Sequence, residues 1–382
     1  MTENFIRLAG DKLAAALKLC ATVIERRNTY PILGMVRLVV DESGIELSAT
    51  DLDIVLTIPL AGRDGAGKWS ICLPVRALET VARLGRDGDI VVSPKGEDRA
   101  TVALDQGDLF QSVSYEIEGL GVDSFPEING ERGAAIERFG NGRIVDLVGK
   151  VAWAASFEET RYYLNGVAWE IGKHGRRFIA TDGHRLATCR YDAVGLDGAT
   201  QMRVLPNKLV ALLRQLGGRD MVLHGVQRNG ACVDVICADG ITLRAKTVDL
   251  PGTGYPDVDR VIPRREQFKA AISVTADAAL AALSRAMAFV GRHTGKVIRF
   301  DGTESGTLRL SSTAIDVGKA DVVLQAEWPA VASPFGVNGA YLKTVLGHCA
   351  GTVVLHQVDA TAPLTILDDD ETVTRLLMPV RV

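Results

Sequence analysis

The chain has 382 residues, 47% of them hydrophobic, and its 43 Lys/Arg and 47 Asp/Glu leave a net charge of −4. That length and apolar content suit about three globular domains with several cores. No apolar run approaches the roughly 18 residues of a membrane span, and the opening MTENFIRLAGDK lacks the basic-then-apolar order of a signal peptide. A cytoplasmic protein without a membrane partner is expected. The six cysteines, at 20, 72, 189, 232, 237 and 349, form no CxxC pair and accompany no His pattern, so reduced, mostly buried thiols are expected rather than a metal site or disulfides. With neither GxGxxG nor GxxxxGK[ST] present, no nucleotide cofactor is expected.

Taken in chain order, apolar residues recur at i, i+3, i+4 spacing in DKLAAALKLCATVIERR (11–27) and PVRALETVARLGR (74–86), predicting two amphipathic helices. A second pair follows in GRIVDLVGKVAWA (142–154) and PNKLVALLRQLGGR (206–219), and a third in ADAALAALSRAMAFVGR (276–292) and NGAYLKTVLGHC (338–349). Pro74, Pro206 and Asn338 open the second helix of each pair at intervals of 132 residues. Short β-branched runs repeat between the helices: LSATD, FIATD and LSSTA from 47, 178 and 310, then DIVVS, DMVLH and TVVLH from 89, 220 and 352. FPEI (125–128) and YPDV (255–258) close the first two thirds, each with a Pro that interrupts a strand and marks a linker. Self-similarity at a fixed period predicts three copies of one α+β module, each of two helices and roughly eight strands.

Charge divides unevenly along this pattern. The six helical windows hold 15 Lys/Arg against five Asp/Glu, so the remainder of the chain is acidic. Ordinary solvated helix faces would mix the signs, since ion pairs four residues apart favour alternation. The excess points instead to helices that share a surface facing a polyanion.

ATDGHRLATC (180–189) poses a different question, because Asp182 and His184 are residue types of general acid/base chemistry, separated by a turn-forming Gly. No nucleophile motif accompanies them, and no third group is visibly arranged to orient the His.

This stretch and several others resemble the bacterial sliding clamp family, the β subunit of DNA polymerase III. The resemblance rests on YPILG (30–34) with ATDLD (49–53), RYYLNG (161–166) with ATDGHRLA (180–187), YPDVDRVIP (255–263), NGAYL (338–342) and the terminal LMPVRV (377–382). It implies three repeated clamp modules at 1–128, 129–258 and 259–382, each with two helices packed on antiparallel sheets, and a head-to-tail homodimeric ring. Helices line the hole, and double-stranded DNA passes through without being read, held by phosphate electrostatics. Such a ring confers processivity by tethering and is not an enzyme.

The same resemblance implies a pocket for short peptides of the DNA polymerase III α subunit, the clamp loader, other polymerases and repair proteins. Its residues would be Leu164, Thr181, Gly183, His184, Arg185, Leu186, Pro256, Arg260, Val261, Asn338, Tyr341, Leu377, Met378, Pro379, Val380 and Arg381. Leu, Val, Met and Pro would provide an apolar floor for a peptide's Leu or Phe, and a few polar groups would fix its backbone. Leu164, Val261 and Leu377 read equally well as core, and Met378–Pro379 as a blunted edge strand. DNA contact is implied for Arg27, Arg76, Arg161, Tyr162, Tyr163 and Lys208. On a strand, Tyr162 and Tyr163 would point to opposite faces.

Two features depart from the family pattern: Glu158 and Glu159 place carboxylates just before RYYLNG, and DLFQSVSYEIEGLGVD (108–123), expected to meet the partner subunit, is long. Three other readings remain open at the level of sequence: a divergent second clamp for a specialised repair or tolerance pathway, a hydrolase using Asp182 and His184, and a scaffold that never meets DNA.

Overall fold

The computed structural model describes residues 4–25, 29–105, 113–172, 175–192, 201–227, 232–250, 252, 254–290, 296–314 and 317–381. Each of the six helical windows contains a helix: α1 (Gly10–Val23), α2 (Val75–Leu84), α3 (Arg143–Gly149), α4 (Asn207–Leu216), α5 (Ala276–Ala286) and α6 (Gly339–Leu346). The apolar spacing sets the buried face. In α1 it is Leu13, Ala16, Leu17, Cys20 and Val23; in α4 it is Leu209, Val210, Leu212, Leu213 and Leu216. A fully enclosed Leu such as Leu17 contributes about 2–3 kcal/mol by leaving water.

α3 is shorter than its window. It ends at Gly149, Val151 leaves helical backbone, and a single 3-10 turn, Ala152–Ala154, follows. Gly149 and the β-branched Val151, two residues apart, are poor helix formers, and the break leaves Trp153 in the 3-10 turn.

The threefold repeat is visible in single hydrogen bonds. An N–H at the start of the leading helix, or one residue before it, donates to a carbonyl just past the second helix in each third: Gly10 to Gly88 at 2.9 Å, Gly142 to Arg219 at 3.1 Å and Ala276 to Gly351 at 3.0 Å. A return segment closes each third on the strand before its second helix. It pairs Leu120 with Cys72, Val248 with Val204, and Val380 with Gly336. The terminal Pro379–Val380 strand is thus the third occurrence of this device.

The molecule forms two compact units: residues 1–145 with 208–247, and 146–207 with 248–382. In the first, an eight-stranded antiparallel sheet runs Glu131–Phe139, Met221–Gln227, Cys232–Cys237, Thr242–Lys246, Ile54–Leu60, Gly44–Thr50, Met35–Asp41, Trp69–Pro74. A five-stranded sheet accompanies it, in the order Gly62–Ala66, Phe5–Ala9, Asp89–Pro94, Arg99–Asp105, Val113–Glu118. The second unit repeats the scheme. Its eight strands are Gln201–Pro206, Gly166–Gly172, Gly175–Thr181, Arg185–Tyr191, Val373–Leu377, Leu364–Leu367, Thr352–Gln357 and Ala270–Thr275. Its five are Gly318–Glu327, Thr307–Ala314, Val297–Gly302, Phe335–Asn338 and Pro379–Val380. The middle third is divided between the units because each half of its strands pairs with a different neighbour.

Two seams make those pairings. Ile54–Leu60 runs antiparallel to Thr242–Lys246, and Arg185–Tyr191 to Val373–Leu377. Each seam ends in the same 2.9 Å bond, from Lys246 N–H to Asp53 carbonyl in one and from Met378 N–H to His184 carbonyl in the other.

In the first unit the linker FPEI is held onto the sheet. Phe125 and Ile128 are buried, and the Arg37 guanidinium lies 4.6 Å from the Phe125 ring centre. Arg244 donates to the carbonyls of Ile128 and Gly130 at 3.0 and 2.9 Å and to both oxygens of Asp234 at 2.8 Å, while Arg132 donates to the same carboxylate at 2.9 Å. Burial of Asp234 works to raise its pKa, but Arg244 and Arg132 overcome this and hold it below the ordinary carboxylate value. A depressed folded pKa gives stability that is complete above the unfolded value and lost as pH falls through the folded one. Asp234→Asn is therefore expected to lower unfolding free energy at neutral pH by about 2–3 kcal/mol, and to flatten its decline below about pH 4. Urea unfolding from pH 3 to 7 measures both.

Candidate functional site

The site grows from the turn between strands Gly175–Thr181 and Arg185–Tyr191. Asp182 Oδ1 accepts from the backbone N–H of His184 at 2.9 Å and of Arg185 at 3.0 Å, and Oδ2 accepts from Arg185 Nε at 3.0 Å. Thr181 Oγ1 donates to the Arg185 carbonyl at 2.8 Å and accepts from Gly183 N–H at 3.1 Å. Gly183 has φ +86°, and a Cβ there would lie 2.6 Å from an Arg161 guanidinium nitrogen. The bond between Asp182 and His184 runs from the backbone, not the imidazole, so the carboxylate organises a turn rather than a catalytic His.

ATDLD in the first unit builds the same turn. Asp51 Oδ1 accepts from Asp53 N–H at 3.0 Å and Ile54 N–H at 2.7 Å, and Leu52 has φ +79° where the other turn has Gly183. The two copies differ in what surrounds them. Asp51 is ion-paired to Lys208 and Asp53 to Lys246, at 2.9 Å in the second case, so the first turn is rimmed with charge. The second turn is rimmed with rings.

His184 stacks on Tyr341, with centroids 5.6 Å apart and planes inclined 21°, and the Arg185 guanidinium lies 5.0 Å from the same ring. Tyr341 is placed by Asn338, whose side chain caps α6 by accepting from the N–H groups of Ala340 and Tyr341. Met378, joined to His184 through the seam, is 40% exposed.

The expected pocket residues fall into four groups. Gly183, His184, Arg185, Asn338, Tyr341 and Met378 belong to the assembly just described. Leu164, Leu186 and Leu377 are buried: Leu164 and Leu186 share a core with Ile179, Tyr255, Val258 and Leu376, and Leu377 belongs to the core of α5 and α6. Thr181, also buried, acts through its hydrogen bonds. Pro379 and Val380 pair with Val337 and Gly336, and Arg381 is exposed beside them.

Pro256, Arg260 and Val261 are exposed and belong to the segment around the 3-10 turn Val258–Arg260. Arg177, only 3% exposed, fixes that turn with two 2.7 Å bonds to the Asp259 carboxylate and a third contact to Glu170. A cleft of about 710 Å³ opens there, lined by Pro256 and Arg260 together with Ile179, Met202 and Tyr255. Sequence reasoning missed Arg177, Asp259 and Trp153. Asp259 lies inside the quoted YPDVDRV, but nothing local pairs it with an arginine 82 residues earlier.

Of the residues expected to contact DNA, Arg27 lies outside the described residues. Arg76 is exposed on α2. Tyr162 and Tyr163 lie not on a strand but in the 3-10 segment Glu159–Leu164, where their rings meet edge to face at 5.9 Å, Tyr162 being 49% exposed. Glu158 answers the acidic departure noted above, because its carboxylate accepts from Arg161 at 2.7 and 3.0 Å and raises the guanidinium's pKa. Lys208 is engaged by the buried Asp51 carboxylate. Of segment 108–123, residues 108–112 lie outside the described residues, and Val113–Glu118 forms the outer strand of its sheet.

If Asp182 is the keystone of the turn, Asp182→Ala costs about 1–3 kcal/mol by leaving two backbone N–H groups and Arg185 without their acceptor. Asp182→Asn, which keeps one acceptor oxygen, costs less. Chemical denaturation of the two variants measures the order.

Comparison with known proteins covers the whole chain. The model for the N-terminal domain of the DNA polymerase III beta subunit matches residues 4–129, and that for its central domain matches residues 141–229. A beta sliding clamp of Pseudomonas aeruginosa is 26% identical over 97% of this chain and 98% of its own length, and one of Caulobacter vibrioides is 28% identical with the same coverage. Among solved structures, a P. aeruginosa sliding clamp bound to griselimycin superposes with TM-score 0.88 at 24% identity, covering all of both chains. A C. crescentus beta sliding clamp gives 0.87 at 26% identity, covering all of this chain and 99% of the other. The fold, the repeated modules and these full-length matches agree, and the chain belongs to the DNA polymerase III beta subunit family.

Proposed function

We propose that the chain is a DNA sliding clamp. Two copies close head to tail around duplex DNA in the cytoplasm and tether the replicative polymerase, conferring processivity without catalysing a reaction. The observation that carries this reading is the match of 97% of the chain to 98% of a protein named beta sliding clamp. The recurring hydrogen bonds of the three thirds support modules at 1–128, 129–258 and 259–382.

Charge supports the same reading. Within their bounds the six helices carry nine Lys/Arg and four Asp/Glu, although the whole chain is acidic. Arg86 follows closely after the end of α2, where the helix dipole favours a cation, whereas Lys150 and Arg219, after α3 and α4, are ion-paired to Asp370 and Asp239. A positive field holds phosphates without reading bases, so the duplex is free to slide. Arg76, Arg161, Tyr162, Tyr163 and Lys208 are the described residues proposed to meet phosphate, Arg161 on leaving its ion pair with Glu158. Lys208 must first leave Asp51.

Short peptides from the DNA polymerase III α subunit, the clamp loader, other polymerases and repair proteins are proposed to dock on the His184 turn. Exposed Met378 and Val261 offer apolar contact, and Tyr341 and Arg185 offer ring and donor groups. Met suits one groove to many partners.

Sedimentation equilibrium tests the pairing: the expected mass is twice the 40.9 kDa chain, and a monomer at micromolar concentration contradicts it. His184→Ala is expected to leave that mass unchanged while weakening a Leu-Phe peptide about tenfold, as loss of a stacked ring at a binding surface would.

A further inference from the structure

Arg185 lies against a second aromatic ring besides Tyr341. Its guanidinium carbon is 5.7 Å from the centre of Trp153, within the range of a cation–π contact. Trp153 in turn stacks on His348 at 5.5 Å. An unbroken series of ring contacts therefore joins His184, at the rim of the proposed peptide surface, through Tyr341, Arg185 and Trp153 to His348 just past the end of α6.

Trp153 is firmly placed. The break after α3 puts it in its own 3-10 turn, and its indole N–H donates to the Lys150 carbonyl at 2.9 Å. The Lys150 ammonium is itself ion-paired to Asp370 at 2.7 Å. The indole also packs against the core of α5 and α6.

Arg185, by contrast, is a long side chain whose free rotation is costly to arrest. Two rings and Asp182 arrest it in advance, leaving it 15% exposed. Among the described residues only its Nε has a hydrogen-bond partner, so its terminal nitrogens remain as donors.

We propose that Trp153 is a positioning residue of the partner-binding surface: it holds the Arg185 guanidinium in the orientation that donates to a carbonyl or carboxylate oxygen of an incoming peptide. The proposal rests on reading the His184 turn as a peptide site. Trp153 need not touch the peptide. Its contribution is to remove the ordering cost of Arg185 before binding.

The test is a double-mutant cycle read by fluorescence anisotropy, with a fluorescein-labelled synthetic peptide carrying a Leu-Phe pair. The proteins are the full chain, Trp153→Ala, Trp153→Phe, Arg185→Met and Trp153→Ala/Arg185→Met, each first shown to be folded by its thermal melt. Trp153→Ala is expected to weaken binding about three- to tenfold, the range of a partly desolvated cation–π contact, and Trp153→Phe to restore it to within about twofold. In the Arg185→Met background, Trp153→Ala should cost nothing further. Equal weakening in both backgrounds means that Trp153 does not act through Arg185, and no weakening in either means that it does not act at all. Either result overturns the proposal while leaving the peptide site standing. A wild-type chain that fails to bind the peptide overturns the site and the proposal together.

Discussion

Main-chain pairing across the module seams is the constraint on which the rest of the structure depends. An isolated third would present open strand edges, a template for aggregation. Here Ile54–Leu60 finds Thr242–Lys246, Arg185–Tyr191 finds Val373–Leu377, and two four-stranded pieces become one eight-stranded sheet in each unit. Because strand side chains alternate with period two, a slip of one residue at the second seam would turn Leu377 from core to solvent and move Met378 away from His184. The placement of Met378 beside His184 is thus a by-product of sheet register. The bond from Met378 to the His184 carbonyl is the last rung of that ladder.

The two Asx turns show how one scaffold is given two characters. Asp51 and Asp182 make the same pair of backbone bonds, and both turns use positive φ at the next residue. Around the first, Lys208 and Lys246 answer Asp51 and Asp53, whereas around the second two arginines, Arg161 and Arg185, are joined by two histidines, a tyrosine and a tryptophan. A charged rim is strongly hydrated and offers little to an apolar peptide. Rings and an exposed methionine are poorly hydrated and offer more.

Much of this was legible in the sequence, because helical and strand periodicities and a 132-residue interval are local or self-referential signals. Each window contains most of a helix, α1 beginning one residue early at Gly10, and the RYYLNG, ATDGHRLA, YPDVDRV and LMPVRV stretches converge on one unit. What escaped depends on pairings remote in sequence. Arg177 with Asp259, Lys208 with Asp51 and Trp153 with Arg185 join residues whose own neighbourhoods give no hint of the partner. The 3-10 placement of Tyr162 and Tyr163 escaped for the opposite reason, since a run of aromatics carries strand propensity that the local chain path overrode.

The central claim is that DNA is held by closure rather than by attraction. It is tested most directly by loading the protein onto nicked circular DNA with a matching clamp loader, and following retention in moderate salt before and after the circle is cut. The account predicts that protein stays on the closed circle and is lost promptly once an end is made. Equal loss from circular and linear DNA, quickened by salt in both, would mean that ordinary counterion-release binding is all there is, and would contradict it.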